Sequence, residues 1–100
     1  KENCPDLRNT KVVDIISELK EYNINVDIYD PWVSEEEAIK EYGLSLIKEP
    51  TEKYEAVIVA VAHNEFIELG ADGIRHFLKD DGLFYDLKSL FDKNKSDIRL

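Results

Sequence analysis

Four short segments of this 100-residue chain carry side chains that could do chemistry: Lys1 to Arg8, Asp30-Pro31-Trp32, His63-Asn64 and Asp86-Leu87-Lys88. Lys1, Arg8 and Lys88 are the informative ones. An arginine offers forked donors and a lysine a compact point charge, a combination that suits the oxygens of a diphosphate. Taken singly, each is as readily read as an ordinary surface cation. His63 has an imidazole capable of acid–base work, although a histidine at a strand end more often makes a structural hydrogen bond. His76 falls inside a helical stretch and reads as a surface or packing residue. Cys4 is the single thiol. A nucleophilic cysteine needs a depressed pKa, and a lone cysteine is more often inert. Asp30 before Pro31 reads as a turn former. Trp32 reads as a hydrophobic plug or an interface residue before a stacking platform. A phosphoacceptor site built on Asp30, Asp86 and Lys88 would need an acidic pair after a preceding strand, and the sequence shows no such strand.

The elements that must position these residues follow from periodicity. Val12, Val13, Ile15, Ile16 and Leu19 recur at helical spacing over Thr10–Tyr22, with Asn9 or Thr10 as N-cap and Asn23 past the C-terminus. Ile24–Tyr29 alternates apolar and polar residues, as a strand does, and Asp30-Pro31 stops it. Ser34-Glu35-Glu36-Glu37 is a capping box for a helix that runs to about Tyr42 and ends at Gly43. Leu44–Ile47 fits a short edge strand. The run Ala56–Ala62 predicts a strand over Tyr54–Ala62 buried on both faces. Helical turns follow at Glu65–Leu69 and Ala71–Lys79, then a turn at Asp81-Gly82, a strand at Leu83–Asp86, a helix at Leu87–Asp92 and a charged, frayed tail from Lys93 to Arg99.

This alternation predicts an α/β fold: a three-layer Rossmann-like parallel sheet with helices on both faces, organised as one domain over residues 1–100. The reading opens on a helix, so the sheet lacks its first strand. In an open α/β sheet ligands sit beyond the carboxyl ends of the strands, where all four chemical segments fall.

Composition narrows the possibilities. Thirteen basic against 22 acidic residues give a net charge of −9. That balance argues against nucleic-acid partners and anionic membrane surfaces. An acidic domain can still hold a phosphate where a few cations and backbone N–H groups are gathered locally. No apolar run nears the roughly 20 residues that span a bilayer. The polar start carries no signal-peptide pattern, so the cytoplasm is the default location. A single cysteine excludes an internal disulfide and a multi-cysteine metal site. There is no Gly-x-Gly-x-x-Gly and no phosphate-binding loop, so the segment is not expected to hold NAD itself.

The residues also carry a resemblance. The stretch Lys1-Glu2-Asn3-Cys4-Pro5-Asp6-Leu7-Arg8-Asn9-Thr10-Lys11-Val12-Val13-Asp14-Ile15 resembles the C-terminal domain of the UDP-glucose/GDP-mannose dehydrogenase family, in the branch that oxidises UDP-N-acetylhexosamines. Tyr29-Asp30-Pro31-Trp32-Val33, Ala60-Val61-Ala62-His63-Asn64-Glu65-Phe66 and Tyr85-Asp86-Leu87-Lys88 resemble later family segments in the same order and spacing. Together they cover Lys1 to about Asp92. The resemblance implies a parent enzyme with an N-terminal NAD-binding domain, a central dimerisation region and this UDP-sugar-binding domain. It implies oxidation of the sugar C6 alcohol to a carboxylate by two hydride transfers to NAD, through a thiohemiacetal on a cysteine in a Gly-Gly-x-Cys segment. That segment is not in this sequence and Cys4 does not match it. No catalytic residue is therefore expected here, and the fragment alone is not expected to be active. By resemblance, Lys1 matches a lysine that contacts the nucleotide-sugar. Arg8 matches an arginine with a structural or site-organising role. Lys88 falls where some members carry an arginine that reaches substrate. The implied partners are the UDP-sugar, the rest of the parent chain and a further copy in a homo-oligomer. The competing reading is a standalone, non-catalytic α/β module that associates through the apolar faces left by the absent strand.

Overall fold

The computed structural model describes residues 12–43, 45–50 and 53–99. Residues 1–11 lie outside them, and with them the expected loop up to Asn9, the expected helix N-cap at Asn9 or Thr10, Lys1, Cys4 and Arg8; Leu44, at the start of the expected edge strand, lies outside them as well. The chain divides into two compact units, one reaching Glu49 and the other running from Pro50.

The first unit holds α1 (Val12–Glu21) and α2 (Glu35–Tyr42). The apolar stripe of α1 faces a small core in which Ile16, Val33 and Ala38 are buried and Val12, Val13, Val26, Ile28 and Leu46 pack around them. The helix closes as its sequence predicts. Asn23 takes φ 61°, its N–H donates to the Lys20 carbonyl at 3.0 Å, and the Ile24 N–H donates to the Leu19 carbonyl at 3.2 Å. This pair of bonds satisfies carbonyls that the helix end would otherwise leave bare. At α2 the Ser34 hydroxyl accepts the Glu37 N–H at 3.1 Å, and Gly43 closes the helix at φ 65°. The strand expected at Ile24–Tyr29 does not form as such. One parallel bridge, Ile28 to Leu46, is what remains of it and of the expected edge strand. Alternation marks a segment able to pair, but pairing needs a neighbour at matching register, and among the described residues one position finds it.

The second unit carries the sheet: β1 (Tyr54–Val59), α3 (Asn64–Arg75), β2 (Leu78–Asp86) and β3 (Ile98–Arg99). The strands lie in the order β1-β2-β3 and both pairings are parallel. This is an α/β fold with an open three-stranded parallel sheet. Its core is Val59, Ala71, Ile74, Leu78 and Phe84, with Val57, Phe66, Leu90 and Phe91 packed against it. The expectation of a β1 buried on both faces is corrected. Val59 is buried, but Ala56 is exposed and Ile58 is 38% exposed. Alternate residues point to opposite faces, and within this unit α3 covers one face of the sheet.

α3 breaks at Gly70 (φ 72°, ψ 167°), a backbone region that essentially only glycine occupies. The two helical stretches read from the sequence lie on either side of this residue; the second ends at Arg75 and not at Lys79. Residues 78–82 belong to β2 instead. Register passes from Tyr54–Leu78 to Ala56–Leu83, so 79–82 bulge outward between paired residues. Gly82 permits the bulge: a Cβ there would lie 2.7 Å from Leu78 Cδ2 and 2.9 Å from the Lys79 carbonyl oxygen. The expected helix at Leu87–Asp92 is a turn, and the tail expected to fray forms β3.

Candidate functional site

Parallel strands place their carboxyl ends at one edge, and in the second unit that edge is built by two turns. The first follows β1. His63 is the N-cap residue of α3, with its carbonyl accepting the Phe66 and Ile67 N–H groups at 3.0 and 3.2 Å. Its side chain is fully buried, with ring centroid 5.4 Å from that of Phe66. Asn64 beside it is exposed. This histidine is built into the packing; acid–base work on a dissolved substrate would need an imidazole that solvent or ligand can reach.

The second turn follows β2 and is organised by Asp86. Its side chain is also fully buried. Oδ1 accepts the Leu90 N–H at 3.0 Å and Oδ2 accepts the Phe91 N–H at 3.0 Å. Two backbone donors to one carboxylate are charge-assisted bonds of the stronger kind. They curl the chain where a helix was expected: the carboxylate ties down the N–H groups of 90 and 91 and Ser89 adopts φ 54°, so helical backbone stops at this point. The Leu87 N–H donates to the Val59 carbonyl at 3.0 Å, tying the turn to the end of β1. Lys88 rides on this turn, exposed, with no bonding partner among the described residues. A rigid turn that presents a solvent-facing cation is what a phosphate contact requires.

β3 flanks the same turn. Asp86 pairs with Arg99 across the β2–β3 register, and Arg99 Nε donates to Ser89 Oγ at 3.1 Å. The segment leading to β3 is clasped to β2. Arg75 donates from Nε and Nη2 to the Lys95 carbonyl at 3.1 and 2.8 Å, approaches Asp97 Oδ2 at 3.5 Å and lies 5.4 Å above the Phe84 ring centroid. The Phe84 N–H donates to Asp97 Oδ2 at 2.8 Å. That backbone bond, with the Arg75 charge, holds the Asp97 carboxyl below the usual carboxylate range, against a smaller opposing effect of burial. The sequence reading missed Arg75, Asp97 and Arg99. The available signal was Ile98, a lone apolar residue in a charged tail.

The remaining candidates find ordinary uses. Asp30 Oδ1 accepts the Trp32 N–H at 2.8 Å, so Asp30 serves as a turn former. Trp32 is 38% exposed, so it fills no core. His76 is exposed at the end of α3, and its carbonyl accepts the Lys53 ammonium. Among the described residues no group of three or more His, Cys, Asp or Glu could hold a metal ion, and no helix is long and apolar enough to cross a membrane.

Comparison with known proteins gives consistent results. The model of the UDP-glucose/GDP-mannose dehydrogenase family, UDP binding domain, matches residues 1–93. UDP-N-acetyl-D-glucosamine 6-dehydrogenase of Pseudomonas aeruginosa is 57% identical over 101 residues, covering 100% of this chain and 24% of that protein. The protein of the same name from Salmonella typhi is 48% identical over 101 residues, again 100% of this chain and 24% of the relative. Protein CapL of Staphylococcus aureus is 42% identical over 99 residues, 98% of this chain and 23% of the relative. The chain therefore spans about a quarter of the length of the curated relatives it matches.

Proposed function

The chain belongs to the UDP-glucose/GDP-mannose dehydrogenase family, and from that membership we propose that it is the UDP-sugar-binding domain of a longer NAD-dependent UDP-N-acetylhexosamine 6-dehydrogenase. The observation that carries the reading is the 57% identity, across the whole chain, to a protein named UDP-N-acetyl-D-glucosamine 6-dehydrogenase. The product is a UDP-hexosaminuronic acid, a precursor for surface polysaccharide. The working protein is a cytoplasmic homo-oligomer.

In this reading the domain binds and orients the substrate and carries no reacting group. Lys88 contributes a charge-assisted bond to a phosphate or sugar oxygen from a turn fixed by Asp86. Lys1 adds a second cationic contact, and Arg8 organises that stretch. The chain lacks a glycine-rich dinucleotide fingerprint, so NAD, which accepts the hydride when bound, is held by other parts of the parent protein. What this domain would contribute to the rate is the positioning of the substrate.

The test is direct. The full-length protein, supplied with UDP-N-acetylglucosamine and NAD, should produce the uronic acid and two reduced NAD per sugar. Failure to reduce NAD with UDP-N-acetylglucosamine, UDP-N-acetylgalactosamine, UDP-glucose or GDP-mannose would remove the proposal.

A further inference from the structure

We infer that Arg99 is a substrate-binding residue that shares the diphosphate of the nucleotide-sugar with Lys88. The inference rests on the UDP-sugar reading above and adds a residue to its site. A diphosphate presents several anionic oxygens to a chain of net charge −9, so point charges from Lys88 and Lys1 are a thin counter-charge. Lysine also gives no fork, whereas a guanidinium can meet two oxygens of one phosphate at once. Arg99 brings that fork to the turn that carries Lys88. β3 runs parallel to β2 and sets Arg99 opposite Asp86. The side chain then bonds through Nε to Ser89 Oγ at 3.1 Å, one residue from Lys88. Among the described residues this is its one side-chain bond, so the terminal Nη1 and Nη2 donors remain for a ligand.

Two further features show that the placement is built. Ser89 holds φ 54°, a left-handed conformation unfavourable for a residue with a Cβ, and from there its hydroxyl receives Arg99. The segment before Arg99 is anchored by the Arg75–Asp97 clasp to β2. An exposed two-residue edge strand would otherwise fray.

The experiment uses the full-length protein, titrated with UDP-N-acetylglucosamine, UDP and uridine. Arg99→Ala should weaken UDP and UDP-N-acetylglucosamine by at least about tenfold while uridine binding stays unchanged, because charge-assisted bonds to phosphate are lost and base contacts are kept. Arg99→Lys should recover part of the loss. Ser89→Ala, which removes the hydroxyl that holds Nε, should weaken UDP by about threefold. Wild-type affinity for UDP in Arg99→Ala overturns the inference, as does an equal loss for uridine. If Arg99→Ala does not fold, Arg99→Lys carries the test, and wild-type affinity there overturns the role of the fork. A wild-type protein that binds none of the three ligands removes the proposed function itself and the inference with it.

Discussion

Two turns end neighbouring strands at one edge of the same sheet, yet they treat their polar residues in opposite ways. After β1, His63 turns inward and is fully buried, and its neighbours continue into a helix. After β2, Asp86 is equally buried, but its carboxylate spends its acceptors on the Leu90 and Phe91 N–H groups and so shapes a turn that pushes Lys88 outward. A buried polar residue at a strand end thus serves as packing in one turn and as a jig for an exposed cation in the other. The difference lies in the backbone donors that Asp86 captures, and position at the sheet edge alone does not reveal it.

Breaking the jig should have the largest effect. Asp86→Ala strands two backbone donors and removes a buried side chain; it should cost about 3 kcal/mol of stability, read in a denaturant titration, and should also weaken UDP-sugar binding in the full-length protein. Lys88→Ala separates function from fold. Substrate affinity should fall by about 1.5–3 kcal/mol, read by calorimetry, with the unfolding midpoint unchanged. His63→Ala is the mirror image: about 2 kcal/mol of stability lost, and UDP affinity retained in the protein that remains folded. An affinity loss without a stability loss at His63 would dissolve the contrast between the two turns. Gly70→Ala, which forces a side chain onto φ 72° and ψ 167°, should cost roughly 1–3 kcal/mol of thermal stability.

The smallest effect concerns the clasp. Asp97 has a lowered folded-state pKa, chiefly through the Phe84 N–H and then through Arg75. A depressed carboxyl stabilises the fold above its unfolded value and loses that contribution as pH falls through the folded value. Docking of residues 95–99, followed by amide exchange, should therefore be steady at neutral pH and weaken only below the ordinary aspartate range of about 3.9. Asp97→Asn should abolish that acid dependence.

The sequence made legible whatever is decided within a few residues. Ser34 with Glu37, Gly43, Asn23 and the break at Gly70 each act on their own turn of backbone, and each does what its type dictates. The run through Val57–Val59 marked a strand for the same reason. What depends on distant partners was not legible. Ile24–Tyr29 alternates well, but among the described residues its one strand-like pairing is the Ile28–Leu46 bridge. The Leu87–Asp92 pattern looks helical, yet a carboxylate one residue before it captures the N–H groups. The tail from Lys93 to Arg99 is charged and looks unstructured, and it is ordered by Arg75, twenty residues away from the Lys95 carbonyl it holds. Of the candidate site, Lys88 could be proposed from its place after a strand and from the family resemblance, whereas Arg99 arrives by strand pairing that no local pattern announces.

The most direct measurement is a structure of the full-length protein with UDP-N-acetylglucosamine bound. The account predicts the diphosphate at the carboxyl edge of this sheet, with the Lys88 ammonium in contact with it and the His63 ring still enclosed. A nucleotide-sugar bound elsewhere, with Lys88 left in solvent, would contradict it.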